Sequence, residues 1–137
     1  MLTNINPLLT GQLLWYLDQM GHSDTVLIAD AHFPAARLAA RLIDLPGTSA
    51  PEVTGAVRSV LPLDDVSPLQ LMTSADGSLL PVQQELTAAA GLSGAAEFID
   101  RYAFYNLAHD SFVIIRTGET RTYGNAILRK GLVGAAR

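Results

Sequence analysis

A histidine and two carboxylates flank the first predicted strand of the chain, and these residues could carry acid–base chemistry. His22 lies in a Gly-His-Ser-Asp turn after a predicted helix, where an imidazole is accessible to a reacting group. Asp24 closes that turn, and Asp30 directly follows the strand. The alternative is that His22 bonds the last carbonyls of the helix and that Asp24 caps the entry to the strand.

A metal site is a second possibility for this region, because His32 adds another imidazole. Two imidazoles and two carboxylates suit zinc or a harder divalent ion. However, His22, Asp24, Asp30 and His32 match no helical i, i+4 ligand pair, and the two ends of a strand lie well apart. A metal-dependent hydrolase therefore stays an alternative, and no metal ligand is predicted.

A second cluster places an arginine among aromatic residues, in the segment Phe-Ile-Asp-Arg-Tyr-Ala-Phe-Tyr that ends at Tyr105. Arg101, surrounded by four rings, could clamp a hydroxyl or an anion because its guanidinium is planar and always charged. The rings offer faces for the apolar side of a sugar. The alternative is that Tyr102, Phe104 and Tyr105 divide between the core and its rim.

The third candidate is the segment Tyr123-Gly124-Asn125. In an extended chain Tyr123 and Asn125 point to the same side. Gly124 between them allows a ligand to approach the backbone closely. A hairpin turn is the alternative interpretation of this segment.

These residue types favour proton transfer on a neutral polyol without a cofactor. The sequence contains no cysteine, no phosphate-binding glycine loop, no dinucleotide fingerprint and no nucleophile elbow. Phosphoryl transfer and redox chemistry are therefore poorly supported.

Alternating helices and strands must position the three candidate segments. Hydrophobic spacing and capping residues predict helices over 7–21, 51–61, 82–90 and 101–109, and strands over 25–29, 69–73, 111–116 and 123–128. Residues 35–42 fit a short helix or an extended stretch. The alternation predicts an α/β fold with three α/β/α layers and a mixed, mostly parallel sheet. Ligands of such folds bind beyond the carboxyl ends of strands, where Asp30 and His32 are placed.

The composition predicts one domain over residues 1–137. The chain has 137 residues and no cysteine, which excludes disulfides. No window approaches ~18 consecutive apolar residues, and the N-terminus lacks the basic and apolar regions of a signal peptide. A cytoplasmic location without a membrane partner is therefore expected. The sequence pI of about 5.1 argues against a nucleic-acid partner.

Charge is sparse and unevenly distributed. Charged residues make up 16% of the chain, below the usual ~25%, and the mean hydropathy is +0.25. Residues 1–110 carry a net charge of −8 and residues 111–137 a net charge of +4. This pattern predicts that other copies of the chain cover much of the surface, with a head-to-tail contact between opposite charges. A solvated basic end is the alternative.

Five segments, taken in order, resemble the signature segments of the fucose mutarotase and ribose pyranase family. They are Gly-His-Ser-Asp at 21–24, Asp-Ala-His-Phe-Pro-Ala at 30–35, Arg-Tyr-Ala-Phe-Tyr at 101–105, Thr-Gly-Glu at 117–119 and Tyr-Gly-Asn-Ala-Ile-Leu at 123–128. The resemblance spans nearly the whole chain, although residues 36–97 match loosely. It implies cofactor-free interconversion of sugar ring forms by decamers of two stacked pentamers, with sites between subunits.

The resemblance also implies roles for individual residues. His22 matches the catalytic histidine of the family, and Asp30, Arg101 and the segment Tyr123-Gly124-Asn125 match sugar-binding positions. Tyr105 is also expected to bind the sugar. The segments Asp-Ala-His-Phe-Pro and Arg-Tyr-Ala-Phe-Tyr resemble the fucose branch, whereas the ribose branch tends to have a histidine at the position of Tyr105. The implied activity is therefore an L-fucose mutarotase. A ribose-pyranase-type enzyme and a non-catalytic monosaccharide-binding module are the alternatives.

The sparse charge generates the first testable prediction. In analytical ultracentrifugation the protein is expected to sediment as a large homo-oligomer, because large obligate interfaces are more apolar than ordinary protein surface. A stable monomer of 14.6 kDa would contradict this expectation.

Overall fold

The computed structural model describes residues 1–134, in which short helices alternate with short strands. The helices are α1 Gly11–Gln19, α2 Ala35–Leu38, α3 Ala50–Arg58, α4 Pro81–Ala90 and α5 Arg101–His109. The strands are β1 Thr25–Ala29, β2 Leu42–Leu45, β3 Gln70–Met72, β4 Glu97–Ile99, β5 Val113–Thr117 and β6 Ala126–Arg129. None of these helices is long and apolar enough to cross a membrane.

Local sequence signals explain where the helices begin and end. The Thr10 hydroxyl caps α1, and Ser49 forms a reciprocal capping box with Glu52 at the start of α3. The Asp100 carboxylate accepts two backbone N–H groups in the first turn of α5. Gly91 ends α4 in the left-handed conformation, at φ +65°, which glycine adopts without strain.

The strands form one mixed sheet in the order β2-β5-β1-β6-β3-β4. β1 pairs in parallel with β5, as do β2 with β5 and β3 with β4, whereas β6 runs antiparallel to both β1 and β3. The carboxyl ends of β1, β2, β3, β4 and β5 therefore lie at one edge of the sheet. The start of β6 lies at that same edge.

Two apolar cores cover the two faces of the sheet and confirm the predicted α/β/α layers. Side chains of alternate residues in β1 point to opposite faces: Val26 and Ile28 pack with α1, α3 and α4, whereas Leu27 and Ala29 pack with α2 and α5. Because both faces are covered, β1 is an almost continuous apolar run.

The structure differs from the predicted elements at several points, and α1 begins at Gly11 rather than Pro7. The ambiguous stretch 35–42 resolves into α2 followed by β2, and β4 is a strand that the sequence pattern did not predict. β4 has only three residues and an exposed face, which leaves little apolar periodicity to detect. The last strand begins at Ala126 rather than Tyr123.

Part of the basic charge in residues 111–137 is used inside the chain. Arg116 pairs with Asp44, at 2.6 Å between Nε and Oδ1, and Arg121 pairs with both Glu85 and Glu119. These two arginines therefore already have acidic partners, which weakens the expected head-to-tail attraction. Residues 135–137 of this basic segment lie outside the described residues.

Two glycines with opposite surroundings provide a test of the packing. A Cβ at Gly118 would lie 2.7 Å from the backbone nitrogen of Gly47, whereas a Cβ at Gly55 inside α3 would meet nothing within 4 Å. Gly118→Ala is expected to lower the free energy of unfolding by about 1–3 kcal/mol through overpacking. Gly55→Ala should raise it by about 0.5–1 kcal/mol through helix propensity. Thermal denaturation that shifts both variants in the same direction would contradict this packing.

Candidate active site

A small pocket that contains several polar groups lies beyond the carboxyl edge of the parallel strands, as the sequence predicts for this fold. Asp30 follows β1, Met72 ends β3, and Arg101 begins α5 just after β4. Tyr123 and Asn125 precede β6, which starts at this edge because it runs antiparallel. The cavity volume is ≈170 Å³, below the ~300–1,000 Å³ typical of pockets for drug-sized ligands. The pocket therefore suits a small ligand.

The buried carboxylate of Asp30 is the centre of the polar network. Its Oδ1 accepts the backbone N–H of His32 at 2.9 Å, and its Oδ2 accepts the N–H of Gly124 at 3.2 Å and the side-chain amide of Asn125 at 3.0 Å. The Asp30 N–H donates in return to Asn125 Oδ1 at 2.8 Å. Asp30 and Asn125 therefore fix each other across 95 positions of sequence.

The environment of Asp30 acts on its pKa in two opposing ways. Burial raises the pKa of this carboxyl, because the charged form loses hydration. The hydrogen bonds from His32, Asn125 and Gly124 oppose that effect, and the pKa remains raised. The result is an oriented carboxyl group beside the pocket that can accept hydrogen bonds from the hydroxyl groups of a ligand.

Arg101 and Tyr105 form a second polar group at the pocket. Arg101 Nε donates to the Tyr105 hydroxyl at 3.0 Å, and the guanidinium carbon lies 5.6 Å from the Tyr105 ring centre and 5.7 Å from that of Tyr102. Phe104 instead lies in the core, where it packs edge-on against Phe33. The expectation of four rings around Arg101 was therefore wrong, whereas the division of the aromatic residues between core and rim is confirmed.

Tyr123 reaches the pocket in a way that the sequence interpretation did not foresee. Its φ of +62° places it in the left-handed region, so the segment around Gly124 is not extended. Such a backbone costs a residue other than glycine ~1–3 kcal/mol, which surrounding contacts must offset. Tyr123 and Asn125 both line the pocket, but the predicted alternation of an extended strand is not the reason.

Several pocket residues were absent from the predicted site. His32, which was expected beside Asp30 but given no binding role, lies there. Its Nε2 is 3.1 Å from the carbonyl oxygen of Thr120, and that contact requires the proton on Nε2 because a carbonyl only accepts. Phe33 and Pro34 belong to the same short segment as Asp30, which was a usable signal. Met72 and Thr122 also line the pocket, and nothing in their local sequence marks them.

His22 lies at the opposite edge of the sheet from Asp30. Its neighbour Ser23 donates its N–H to the carbonyl of Lys130, just beyond the end of β6. The five residues of β1 separate the two edges, and a strand rises ~3.3 Å per residue. Within one chain, His22 therefore does not reach the pocket.

The same separation argues against the alternative in which four residues on both sides of β1 bind one metal ion. His22 and Asp24 lie at one edge, where the Asp24 carboxylate accepts the N–H of Gly21 at 2.7 Å. Asp30 and His32 lie at the other edge. In the part of the chain that the structure describes, no three histidine, aspartate or glutamate side chains cluster in a metal-binding arrangement.

A larger cavity of ≈530 Å³ lies at the ends of α3 and α4, away from this network. Leu61, Leu63 and Leu92 are among its lining residues, and its Arg58 already donates to the carbonyl of Ala90 at 2.6 Å. The smaller pocket brings a carboxylate, a guanidinium, two phenols and an amide together. The residue types that line the smaller pocket, rather than its volume, therefore identify that pocket as the candidate active site.

The fold and the pocket define a class of small α/β proteins in which charged and aromatic side chains line a pocket at the carboxyl edge of a mixed sheet. The chain belongs to the RbsD / FucU transport protein family, whose sequence profile matches residues 3–133. This assignment confirms the family predicted from the five sequence segments.

Solved structures of related proteins agree with the assignment. The fucose mutarotase of Streptococcus pneumoniae in complex with L-fucose is 32% identical, with a TM-score of 0.86 over 96% of this chain and 99% of that chain. Protein Atu2016, described as a candidate sugar binding protein, is 38% identical, with a TM-score of 0.89 over 97% of each chain. Bacillus subtilis RbsD complexed with D-ribose, at 23% identity and a TM-score of 0.79 over 97% of this chain and 99% of that chain, shares the fold.

The buried carboxyl of Asp30 generates a prediction about stability. Asp30→Asn is expected to lower the free energy of unfolding by about 1–3 kcal/mol, because either orientation of the new amide places its NH₂ against a backbone or side-chain donor. Folding raises the pKa of Asp30 above its ordinary value of 3.8. The difference in free energy of unfolding between the wild type and Asp30→Asn, here called the wild-type advantage, is therefore largest at acidic pH. That advantage decreases as the pH rises through the raised pKa.

Asp44→Asn is the matched control for this measurement. The hydrogen bond from Arg116 lowers the pKa of Asp44 below 3.8, so the contribution of Asp44 is present above that pH and is lost as the pH falls. Thermal denaturation from acidic to neutral pH should therefore give opposite pH trends for the two variants. The same trend in both would contradict the raised pKa of Asp30.

Proposed function

We propose that this protein is an L-fucose mutarotase, which interconverts the α and β anomers of the sugar without a cofactor. The observation that carries the proposal is the pocket itself, where the oriented Asp30 carboxylate lies with Arg101, Tyr105 and Tyr123 around a cavity of ≈170 Å³. The similarity to a fucose mutarotase in complex with L-fucose supports the same substrate class. A cytoplasmic location goes with this proposal.

Anomer exchange needs only proton transfers and one bond that breaks and re-forms. The anomeric hydroxyl loses a proton, the bond from the anomeric carbon to the ring oxygen breaks, and that oxygen gains a proton. The aldehyde then turns its other face, and closure reverses each step, so atoms and electrons balance. A positioned acid–base group contributes roughly 10²–10⁴-fold to such a reaction.

The residues divide these tasks among them. His22 exchanges the proton with the sugar, and Tyr123 assists as a second proton relay. Asp30 and Arg101 hold the sugar hydroxyls, since hydrogen bonds to charged groups are the stronger ones. Asn125 acts largely through Asp30, whose Oδ2 it holds at 3.0 Å.

This assignment requires a second copy of the chain, because His22 and Asp30 lie at opposite edges of the sheet. A ring of subunits would place His22 of one copy beside the pocket of the next. We therefore propose a decamer of two stacked pentamers with the sites between subunits. Exposed apolar side chains support extensive interfaces, among them Trp15 at 61%, Val66 at 91% and Val133 at 81% exposure.

One observation favours a second candidate, a non-catalytic monosaccharide-binding module. The pocket of a single chain holds binding groups for a sugar, whereas His22 is absent from it. Such a module would bind L-fucose without accelerating anomer exchange. A ribose-pyranase-type activity is the other alternative, and a panel of fucose, ribose, rhamnose and galactose distinguishes it.

Saturation-transfer NMR on L-fucose tests the proposal directly. The wild-type protein is expected to accelerate exchange between the α and β anomers. His22→Ala should reduce that acceleration by about 10²-fold or more, because the acid–base group is lost. His109→Ala is the matched control, since this exposed histidine lies at the end of α5 beside Asp110 and outside the pocket.

The same assay also tests whether each site is formed by two subunits. His22→Ala and Asp30→Asn are each expected to be inactive, because one lacks the acid–base group and the other the carboxylate that holds the sugar. When the two variants are co-expressed, roughly a quarter of the sites in a randomly mixed ring regain both residues. Activity in the mixed oligomer supports sites between subunits. Unchanged exchange in His22→Ala, or sugar binding without acceleration by the wild type, would refute the mutarotase mechanism.

A further inference from the structure

Glu119 is a buried carboxylate that the proposed chemistry does not use. It lies in the loop between β5 and β6, and its residue is 5% exposed. Burying a carboxylate is costly unless charged or hydrogen-bonded partners surround it. The partners of Glu119 therefore indicate what the residue does.

The Glu119 carboxylate connects its own loop to the start of a helix. Oε1 accepts the backbone N–H of Ala50, the first residue of α3, at 3.3 Å, and the Arg121 guanidinium at 3.0 Å. Oε2 accepts Nε and the backbone N–H of Arg121 at 3.0 and 3.2 Å. The hydrogen bonds from Arg121 lower the pKa of Glu119, so the carboxylate form is favoured.

Arg121 extends this connection to a second helix. Its two terminal nitrogens donate to the carboxylate of Glu85 on α4, at 2.5 and 3.2 Å. Glu85, Arg121 and Glu119 thus form a chain of charges between α4, the loop and α3. We call these three residues the loop clamp.

The backbone of Glu119 faces the active site on its other side. Its carbonyl oxygen accepts the N–H of Ala31 at 2.8 Å, the residue next to Asp30. A Cβ at Gly124 would lie 3.0 Å from Cγ of Glu119, so the side chain also packs directly against Gly124. That glycine donates its N–H to Asp30.

We propose that Glu119 is a positioning residue for the pocket. Through the loop clamp it fixes the loop that carries the strained Tyr123, the Gly124 N–H and Asn125 against Asp30. The expected effect on kcat rests on the proposed function. The expected effect on the order of the loop does not, and hydrogen exchange measures it independently. Glu119 does not line the pocket, so in this role it acts through the residues of its loop and not by contact with a ligand.

The clamp explains how the left-handed Tyr123 is maintained. A tyrosine at φ +62° returns to a more favourable backbone unless its neighbours prevent it. Glu119 holds the chain before Tyr123, and the Asp30 network holds Gly124 and Asn125 after it. Loss of the Glu119 contacts should therefore displace both the Tyr123 phenol and the Asn125 amide that orients Asp30.

Glu119→Gln tests the proposal, because it keeps the size of the side chain and removes its charge. With L-fucose, kcat is expected to fall about 10- to 100-fold at a temperature where the variant is folded, as misplaced catalytic groups do. Hydrogen exchange of residues 118–125 and of Ala31 should become faster. Arg121→Lys, a milder change at a more exposed position, should shift both readouts in the same direction and serves if Glu119→Gln does not fold.

Asp44→Asn is the matched control, since it breaks another arginine–carboxylate pair outside the pocket lining. It should leave kcat and the exchange of residues 118–125 unchanged. A lower melting temperature in the Glu119 and Arg121 variants, with wild-type kcat and wild-type exchange of this loop, would show a purely structural role and overturn the proposal. If the wild type accelerates no anomer exchange, the proposed function fails, and the hydrogen exchange of the loop still decides the role of Glu119.

Discussion

The buried carboxylate of Asp30 is the constraint on which the candidate active site depends. An unsatisfied carboxylate at 3% exposure would be strongly destabilising. Three donors from two distant segments surround it instead, and each donor is useful only if its segment is placed correctly. The same hydrogen bonds that satisfy the charge therefore align the loop after β1 with the loop before β6.

The direction of β6 makes this arrangement possible. If β6 ran parallel to β1, its start would lie at the opposite edge of the sheet, far from Asp30. Because it is antiparallel, Asn125 enters the strand at the edge where β1 ends. The loop clamp then supports that loop from the other face, between α3 and α4. Both faces of the sheet thus contribute to one pocket.

The separation of His22 from this pocket provides a chemical reason for the proposed oligomer. Sparse charge and exposed apolar side chains favour association but do not indicate its purpose. The proposed proton-transfer group and the sugar-binding groups of one chain lie at opposite ends of β1. An arrangement of subunits that joins them would make catalysis dependent on assembly, as the proposed ring requires.

The sequence by itself determined the elements with strong local signals, such as β1, which is apolar because both its faces are buried, and α5, which begins at the Asp100 cap. It also predicted Asp30, Arg101, Tyr105, Tyr123 and Asn125 as site residues through short motifs, and the five line one pocket. Only the tertiary structure decided that His22 lies apart from them, that Tyr123 is left-handed and that Glu119 is buried. Those properties depend on contacts between segments that are distant in sequence, and hydrophobic periodicity carries no record of such contacts.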